Sequence, residues 1–242
     1  MRLVTTVASL LLGGHLATAK PVQYATTQLV NSTACSNVHI MIARGTTESY
    51  PGSLETLAEL ISTYNDKTTY ENIIYPATDE TTTNSYHVGK KAFDKQLTQF
   101  VKRCGNTKTK LVVLAYSQGV MVVADTLAGG GGDATLGNLT APIDVDIGKH
   151  IDALVLYGDP RHAPYQPYDE GFNTSSVTGK YPRPNFQVEH LTKYYGNVIQ
   201  DYCNVGDPVC ASGGNITAHL VYPEIWDTTA ASWVQGALDK AC

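Results

Sequence analysis

The stretch TKLVVLAYSQGVMVVADTL, residues 109–127, decides how the rest of the chain is read. Its first half, residues 111–114, is a run of branched apolar residues, which suits a strand buried on both faces of a parallel sheet. Its second half, residues 120–127, is apolar and free of Pro, and the glycines at 129–132 end it, as at the end of a helix. Between them stand Ala115, Tyr116, Ser117, Gln118 and Gly119. A strand that turns sharply into a helix holds the central serine at the tip of the turn. The helix N-terminus then offers N–H groups and a positive dipole end to an anion. Such a nucleophile elbow demands small residues two before and two after the serine. Ala115 replaces the usual first glycine and is still small. The pentapeptide alone is a weak signal; the flanking strand and helix carry it. A serine at an ordinary strand-to-helix turn is the plain alternative.

The chain has 242 residues, 43% of them hydrophobic, and a formal net charge of −5. That length suits one sizeable core and is short for two ordinary domains. Residues 1–19 carry Arg2, an apolar run and Ala17-Thr18-Ala19, and read as a secretory signal cleaved after Ala19. Residues 20–242 then form a single domain, secreted and extracellular. No run reaches membrane length. No basic cluster is visible, so neither nucleic acid nor membrane is expected as a partner, and the protein is expected to be monomeric. Four sequons, at Asn31, Asn138, Asn173 and Asn215, agree with secretion and belong on the surface if used. Five cysteines are present. Cys203 and Cys210 are close enough to close a small loop. Cys35 and Cys104 each precede a predicted strand and are paired. Cys242 is left over, free or intermolecular. No cysteine spacing fits a zinc site, and no metal is expected.

Further along the chain, Val38, Ile40 and Ile42 alternate as a strand, with His39 and Met41 on its other face. A helix follows, with Leu54, Leu57, Ile61 and Tyr64 as its apolar stripe. Ile73, Ile74 and Tyr75 read as a short strand halted by Pro76. Val88, Ala92, Leu97, Phe100 and Val101 mark a long helix, with Lys90, Lys91 and Lys95 on its solvated side. The glycines at 129–132 read as a flexible loop without the spacing of a phosphate loop. Residues 151–157 form a strand ending in Gly158-Asp159-Pro160. Residues 161–186 form a long loop. A last strand starts at Val198. A final helix starts near Asp227 and buries Trp233, Val234, Ala237 and Leu238. Strands alternating with helices predict an α/β fold with a mainly parallel sheet.

A serine hydroxyl needs a neighbouring base, and that base an orienting group. On elbow-bearing α/β folds the chain order is Ser, then Asp or Glu, then His. After Ser117 the histidines are His150, His162, His190 and His219. His219 follows the last strand in a loop at the C-terminal edge of the sheet, where ligands bind. His150 precedes a strand and falls at the wrong edge. His162 and His190 are not excluded by order. For the acid, Asp207 sits inside the Cys203–Cys210 loop, and Asp159 is the rival, read chiefly as a turn residue before Pro160.

The segments ARGTTE (43–48), AYSQG (115–119), YGDP (157–160) and CNVGDPVC (203–210), followed by His219, resemble the cutinase and acetylxylan esterase family. The resemblance covers nearly all of residues 20–242. It implies an α/β-hydrolase-like three-layer sandwich with no lid domain. It also implies a triad of Ser117, Asp207 and His219, and an oxyanion hole formed by Gln118 and Thr46. The implied chemistry is ester hydrolysis through an acyl-enzyme on a polymeric or small ester, with no cofactor. A mechanism that needs a neutral imidazole loses activity on the acid side of neutrality. Residues 211–218, beside the histidine, are mostly small and polar, which is more like acetylxylan esterases than cutinases. The extra cysteines usual in acetylxylan esterases are absent. Tyr165, Tyr168 and Tyr181 could stack on sugar rings or merely cover the surface. A cutinase for longer aliphatic polyesters is the runner-up. A non-catalytic wall-binding or elicitor protein is the alternative from another class.

Overall fold

The computed structural model describes residues 29–79, 84–172 and 176–240. The expected signal segment, Asn173 and Cys242 lie outside them. The strands are β1 (Val30–Asn31), β2 (Val38–Ala43), β3 (Thr68–Asn72), β4 (Lys110–Tyr116), β5 (Ala153–Tyr157), β6 (Asp169–Glu170) and β7 (Ile199–Tyr202). The helices are α1 (Glu55–Tyr64), α2 (Ser85–Cys104), α3 (Gln118–Ala128), α4 (Val145–Gly148), α5 (Asn185–Tyr195), α6 (Ile216–Leu220) and α7 (Tyr222–Lys240). The strands form one sheet in the order β1-β3-β2-β4-β5-β7-β6. Every pairing in it is parallel.

A parallel sheet has helices on both faces, so its inner strands are buried on both sides. β4 shows this residue by residue. Leu111, Val113 and Ala115 point into one core, with Phe93, Leu97 and Phe100 of α2 and Val120, Val123 and Leu127 of α3. Val112, Leu114 and Tyr116 point into the other, with Leu57 and Ile61 of α1 and Trp226, Ala230 and Val234 of α7. The result is the three-layer α/β-hydrolase-like sandwich expected above. Because the strands all run one way, their C-terminal ends share one rim. Ser117 follows β4, Gly158 follows β5 and Cys203 follows β7 on that rim.

Several local expectations are corrected. The strand expected at residues 73–75 lies at Thr68–Asn72 instead, registered Val38↔Thr68 through Ile42↔Asn72 against β2. Ile73 still donates its N–H to Ile42 O at 2.8 Å, but the Ile74 N–H turns to Gln96 Oε1 at 2.9 Å and the ladder ends. Lys90 is not on the solvated side; only Lys91 and Lys95 are exposed. Lys90 is buried, its ammonium donates to Thr140 Oγ1 at 2.8 Å, and it lies 4.6 Å from the centre of the Tyr86 ring. Burial lowers its pKa. The glycine segment is not a loose loop either. Gly130 N donates to Thr140 Oγ1 at 3.0 Å, Gly131 N to Tyr86 Oη at 3.0 Å and Gly132 N to Gly137 O at 2.8 Å. The long loop carries the edge strand β6, and α5 begins inside its expected end. The last helix starts at Tyr222, five residues before the expected start; Pro223 fits its first turn, where a missing N–H costs little.

Both expected disulfides are present. Cys35–Cys104 joins the approach to β2 to the end of α2 across 69 residues, and Cys203–Cys210 spans 7. The longer link removes more freedom from the unfolded chain, about 4 kcal/mol on the loop-entropy relation. We therefore predict that Cys35→Ser with Cys104→Ser lowers the unfolding free energy by 2–5 kcal/mol (order of magnitude) in urea titrations. A change under about 0.5 kcal/mol would show that this link contributes nothing beyond an ordinary surface substitution.

Candidate active site

Ser117 stands between β4 and α3 with φ 53° and ψ −117°, a backbone conformation few non-glycine residues adopt. The turn is held by Ser117 N donating to Tyr157 O and Val120 N to Ser117 O, both at 2.9 Å. A Cβ on Gly119 would fall 2.0 Å from Ala43 O, so the position two after the serine has no room for a side chain. Ala115, two before it, is fully buried between β2 and β5. The size rule of the elbow is thus a packing rule between α3 and the end of β2.

His219 Nε2 lies 2.9 Å from Ser117 Oγ, and His219 Nδ1 lies 2.8 Å from Asp207 Oδ2. The structure brings these three expected residues together from positions as much as 102 residues apart. His219 sits on the short helix α6 rather than in the expected loop. Asn215 caps that helix through Oδ1, which accepts from Thr217 N at 3.1 Å. The imidazole is wedged between rings, 5.1 Å from the centre of Tyr116 and 6.2 Å from that of Tyr222. Tyr116 Oη donates to His219 O at 2.8 Å, and Asn204 Nδ2 to Ala218 O at 2.8 Å.

Asp207 is buried in the Cys203–Cys210 loop. Its Oδ1 accepts from Val209 N at 2.6 Å and Cys210 N at 3.4 Å. Its Oδ2 accepts from His219 and, at 2.6 Å, from Tyr222 Oη. Burial works against the charge. The hydrogen bond and charge of His219, with the Tyr222 and Val209 bonds, outweigh it and leave the carboxyl below the usual range.

Gln118 opens α3, where the first backbone N–H groups have no acceptor within the helix. Its side chain reaches the loop after β2, with Nε2 3.3 Å from Thr46 Oγ1 and 2.7 Å from Thr78 O. Ser85 Oγ donates to Gln118 Oε1 at 2.8 Å. The two residues expected to hold an oxyanion are therefore neighbours beside Ser117. Their loop is braced by Glu48, whose carboxylate accepts from Gly45 N at 2.7 Å and Ser53 N at 3.0 Å. Arg44 lies over the Tyr50 ring at 3.8 Å and donates to Tyr75 O at 2.9 Å.

The other candidates lie elsewhere. Asp159, the rival acid, is buried and paired with Arg183, and its Oδ1 accepts from Arg161 N at 2.8 Å. Both arginines also pair with Asp125 on α3, tying the segment after β5 to the elbow helix. His162 is buried against Asp201, with Nδ1 2.9 Å from Oδ2. Burial opposes its charge, but Asp201 and the neighbouring carboxylates raise its pKa to about 9. Burial and the charge of Asp201 raise Asp169 beside it to about 7. Among the described residues, His162, Asp169 and Asp201 are the grouping that could ligate a metal, their ligand atoms within 4.8 Å of one another. His190 lies on α5 against Tyr194, at 4.6 Å between ring centres. His150 lines a cavity of about 560 Å³ with Lys108, Lys110 and Asp152, at the opposite edge of the sheet. Of the three tyrosines considered for sugar stacking, Tyr168 is buried and unavailable, whereas Tyr165 is 74% exposed. Asn31, Asn138 and Asn215 are all exposed.

Sequence reasoning missed Tyr222 and Asn204. Asn204 N donates to Tyr222 Oη at 3.1 Å, and Trp226 Nε1 donates to Asn204 Oδ1 at 2.7 Å. The signal was a tyrosine three residues after the histidine, hidden by placing the helix start too late.

A doubly wound parallel sheet with a strained serine at the tip of a strand-to-helix turn defines a protein of the α/β-hydrolase class. The model of the cutinase family matches residues 34–238, and the chain belongs to that family. It is 30% identical to Cutinase 11 of Verticillium dahliae, over 88% of this chain and 72% of that protein. It is also 30% identical to an acetylxylan esterase of Hypocrea jecorina, over 97% of this chain and 77% of that one. Among solved structures it resembles an acetylxylan esterase with TM-score 0.74 and 26% identity, over 85% of this chain and all of the other. The catalytic core of the Trichoderma reesei acetylxylan esterase gives TM-score 0.72 and 27% identity, over 84% of this chain and all of that one. The protein is accordingly an enzyme of the esterase class.

One position tests the packing beneath the histidine. Gly158 has φ +63°, and a Cβ there would fall 2.8 Å from His219 Cε1 and 3.1 Å from Tyr222 Cε2. Gly158→Ala should push the imidazole aside and slow p-nitrophenyl acetate hydrolysis by about 10- to 100-fold. Gly214→Ala, with open space around its Cβ, should leave the rate unchanged. Equal rates for the two variants would show that Gly158 does not set the histidine's position.

Proposed function

We propose that the protein hydrolyses carboxylic esters through an acyl-enzyme on Ser117. The observation that carries this reading is the unbroken line from Asp207 Oδ2 through His219 to Ser117 Oγ, with contacts of 2.8 Å and 2.9 Å. Ser117 Oγ attacks the ester carbonyl carbon while His219 Nε2 takes its proton. Asp207 holds the ring with Nδ1–H toward itself and stabilises the imidazolium. The Gln118 N–H and Thr46 receive the oxyanion; one such donor is typically worth about 3 kcal/mol of barrier. His219 then gives the proton to the leaving alcohol, and water repeats the sequence to free the acid.

The substrate we propose is a short acyl group, most simply acetyl, on plant cell-wall polysaccharide. The acetylxylan esterases among the relatives and the small polar residues at 211–215 support it. The two disulfides support action outside the cell, as expected for a secreted glycoprotein. One observation favours a second reading, hydrolysis of longer aliphatic esters. Ile216 and Leu220 flank the histidine on α6, one turn apart, and are 58% and 60% exposed. They give the rim more apolar surface than the sequence of that segment suggested.

Ser117→Ala should lower kcat/KM on p-nitrophenyl acetate by at least about 10⁴-fold with the fold intact. A folded Ser117→Ala enzyme that keeps its rate would overturn the acyl-enzyme. With the wild type, kcat/KM should fall from acetate to butyrate to palmitate, and acetate should be released from acetylated xylan. A maximum at palmitate would select the aliphatic-ester reading.

A further inference from the structure

We propose that Tyr222 sets how strongly His219 holds a proton, by sharing the Asp207 oxygen on which the imidazole depends. The inference rests on the acyl-enzyme reading above and adds a positioning residue to it. Two donors converge on Asp207 Oδ2: His219 Nδ1 at 2.8 Å and Tyr222 Oη at 2.6 Å. The direction of the tyrosine proton is fixed by its neighbours. Asn204 N can only donate to Tyr222 Oη, at 3.1 Å, and Cys210 Sγ, at 3.2 Å, belongs to a disulfide and has no proton. A carboxylate can only accept, so the O–H points at Asp207. Tyr222 is fully buried and stacked on Tyr157, with ring centres 5.3 Å apart, so the ring keeps its place. Burial and the charge of Asp207 raise its own pKa, so it remains a donor at working pH.

The charges around the imidazole leave this carboxylate in control. From β4, Tyr116 faces the ring, but its hydroxyl proton is committed to His219 O. From the end of β5 comes Gly158, which carries no charge. Glu48, beyond Tyr116, is turned onto the Gly45 and Ser53 amides. Asp207 is thus, among the described residues, the charged group bonded to His219. Negative charge drawn toward the tyrosine O–H is less available to an imidazolium. Removing that O–H should make His219 hold its proton more tightly and so need a higher pH to work.

The experiment compares wild type with Tyr222→Phe across pH on p-nitrophenyl acetate. The acid-side midpoint of kcat/KM should move up by about 0.5–1 pH unit. A merely structural role would lower the plateau and leave the midpoint where it is. Replacing Tyr222 with 3-fluorotyrosine keeps the shape, strengthens the donor and should move the midpoint down; this arm stands if the Phe variant does not fold. The same shifts should appear in the NMR titration of the His219 ring nitrogens in a Ser117→Ala background. That measurement needs no turnover. Failure of the acyl-enzyme reading would therefore show as activity in Ser117→Ala, independently of the Tyr222 result. Midpoints unchanged within about 0.2 unit in the folded variants, or moving the opposite way, would overturn the proposal.

Discussion

A carboxylate that must stay charged where water hardly reaches is the constraint on which this structure turns. An unpaired buried charge costs several kcal/mol, so Asp207 is tolerable only with its lone pairs filled. The chain fills them from three directions: the amides of its own loop, the His219 ring and the Tyr222 hydroxyl. Each donor has its own support. The amides are fixed by a disulfide, the histidine by a capped helical turn, and the tyrosine by a stack of rings and the Asn204 amide. The segment between β7 and α6, which has no helix or strand of its own, is thereby tied down at several points.

The parallel sheet supplies the remaining geometry. Because its strands end on one rim, residues 117, 158 and 203 arrive together although the chain separates them widely. Tight approach of backbone to backbone then selects residue size, as at Gly119 against Ala43 O. Buried ion pairs do similar work on the other side of the elbow. Asp125 on α3 and Asp159 after β5 share Arg183, so the segment beneath the histidine and the helix behind the serine cannot shift independently.

The layered fold was legible in the sequence because its strongest signal, β4 running into α3, is local. The three aligned side chains were named only through the family resemblance; chain order alone left His162, His190 and Asp159 open. What was not legible depended on distant neighbours. β3 reads TTYEN, a polar string that is a strand because β2 lies along its length and β1 pairs with its other edge. Lys90 stood in plain view on the stripe of Tyr86, Phe93 and Leu97. Its charge hid the periodicity, and the Thr140 hydroxyl that accepts its proton is 50 residues away. Tyr222 was missed because the helix start was placed too late, and its partners at 204 and 207 lie across a loop.

The cap of α6 has one more consequence. Asn215 holds the helix through its side-chain oxygen, whereas a sugar on this sequon attaches to the side-chain nitrogen. An oligosaccharide there would leave the cap in place. It would hang a bulky, water-rich antenna next to Ile216, on the same helical turn as the histidine. The rim would then greet a greasy film and a hydrated fibre differently, with every side chain that touches the reacting ester unaltered.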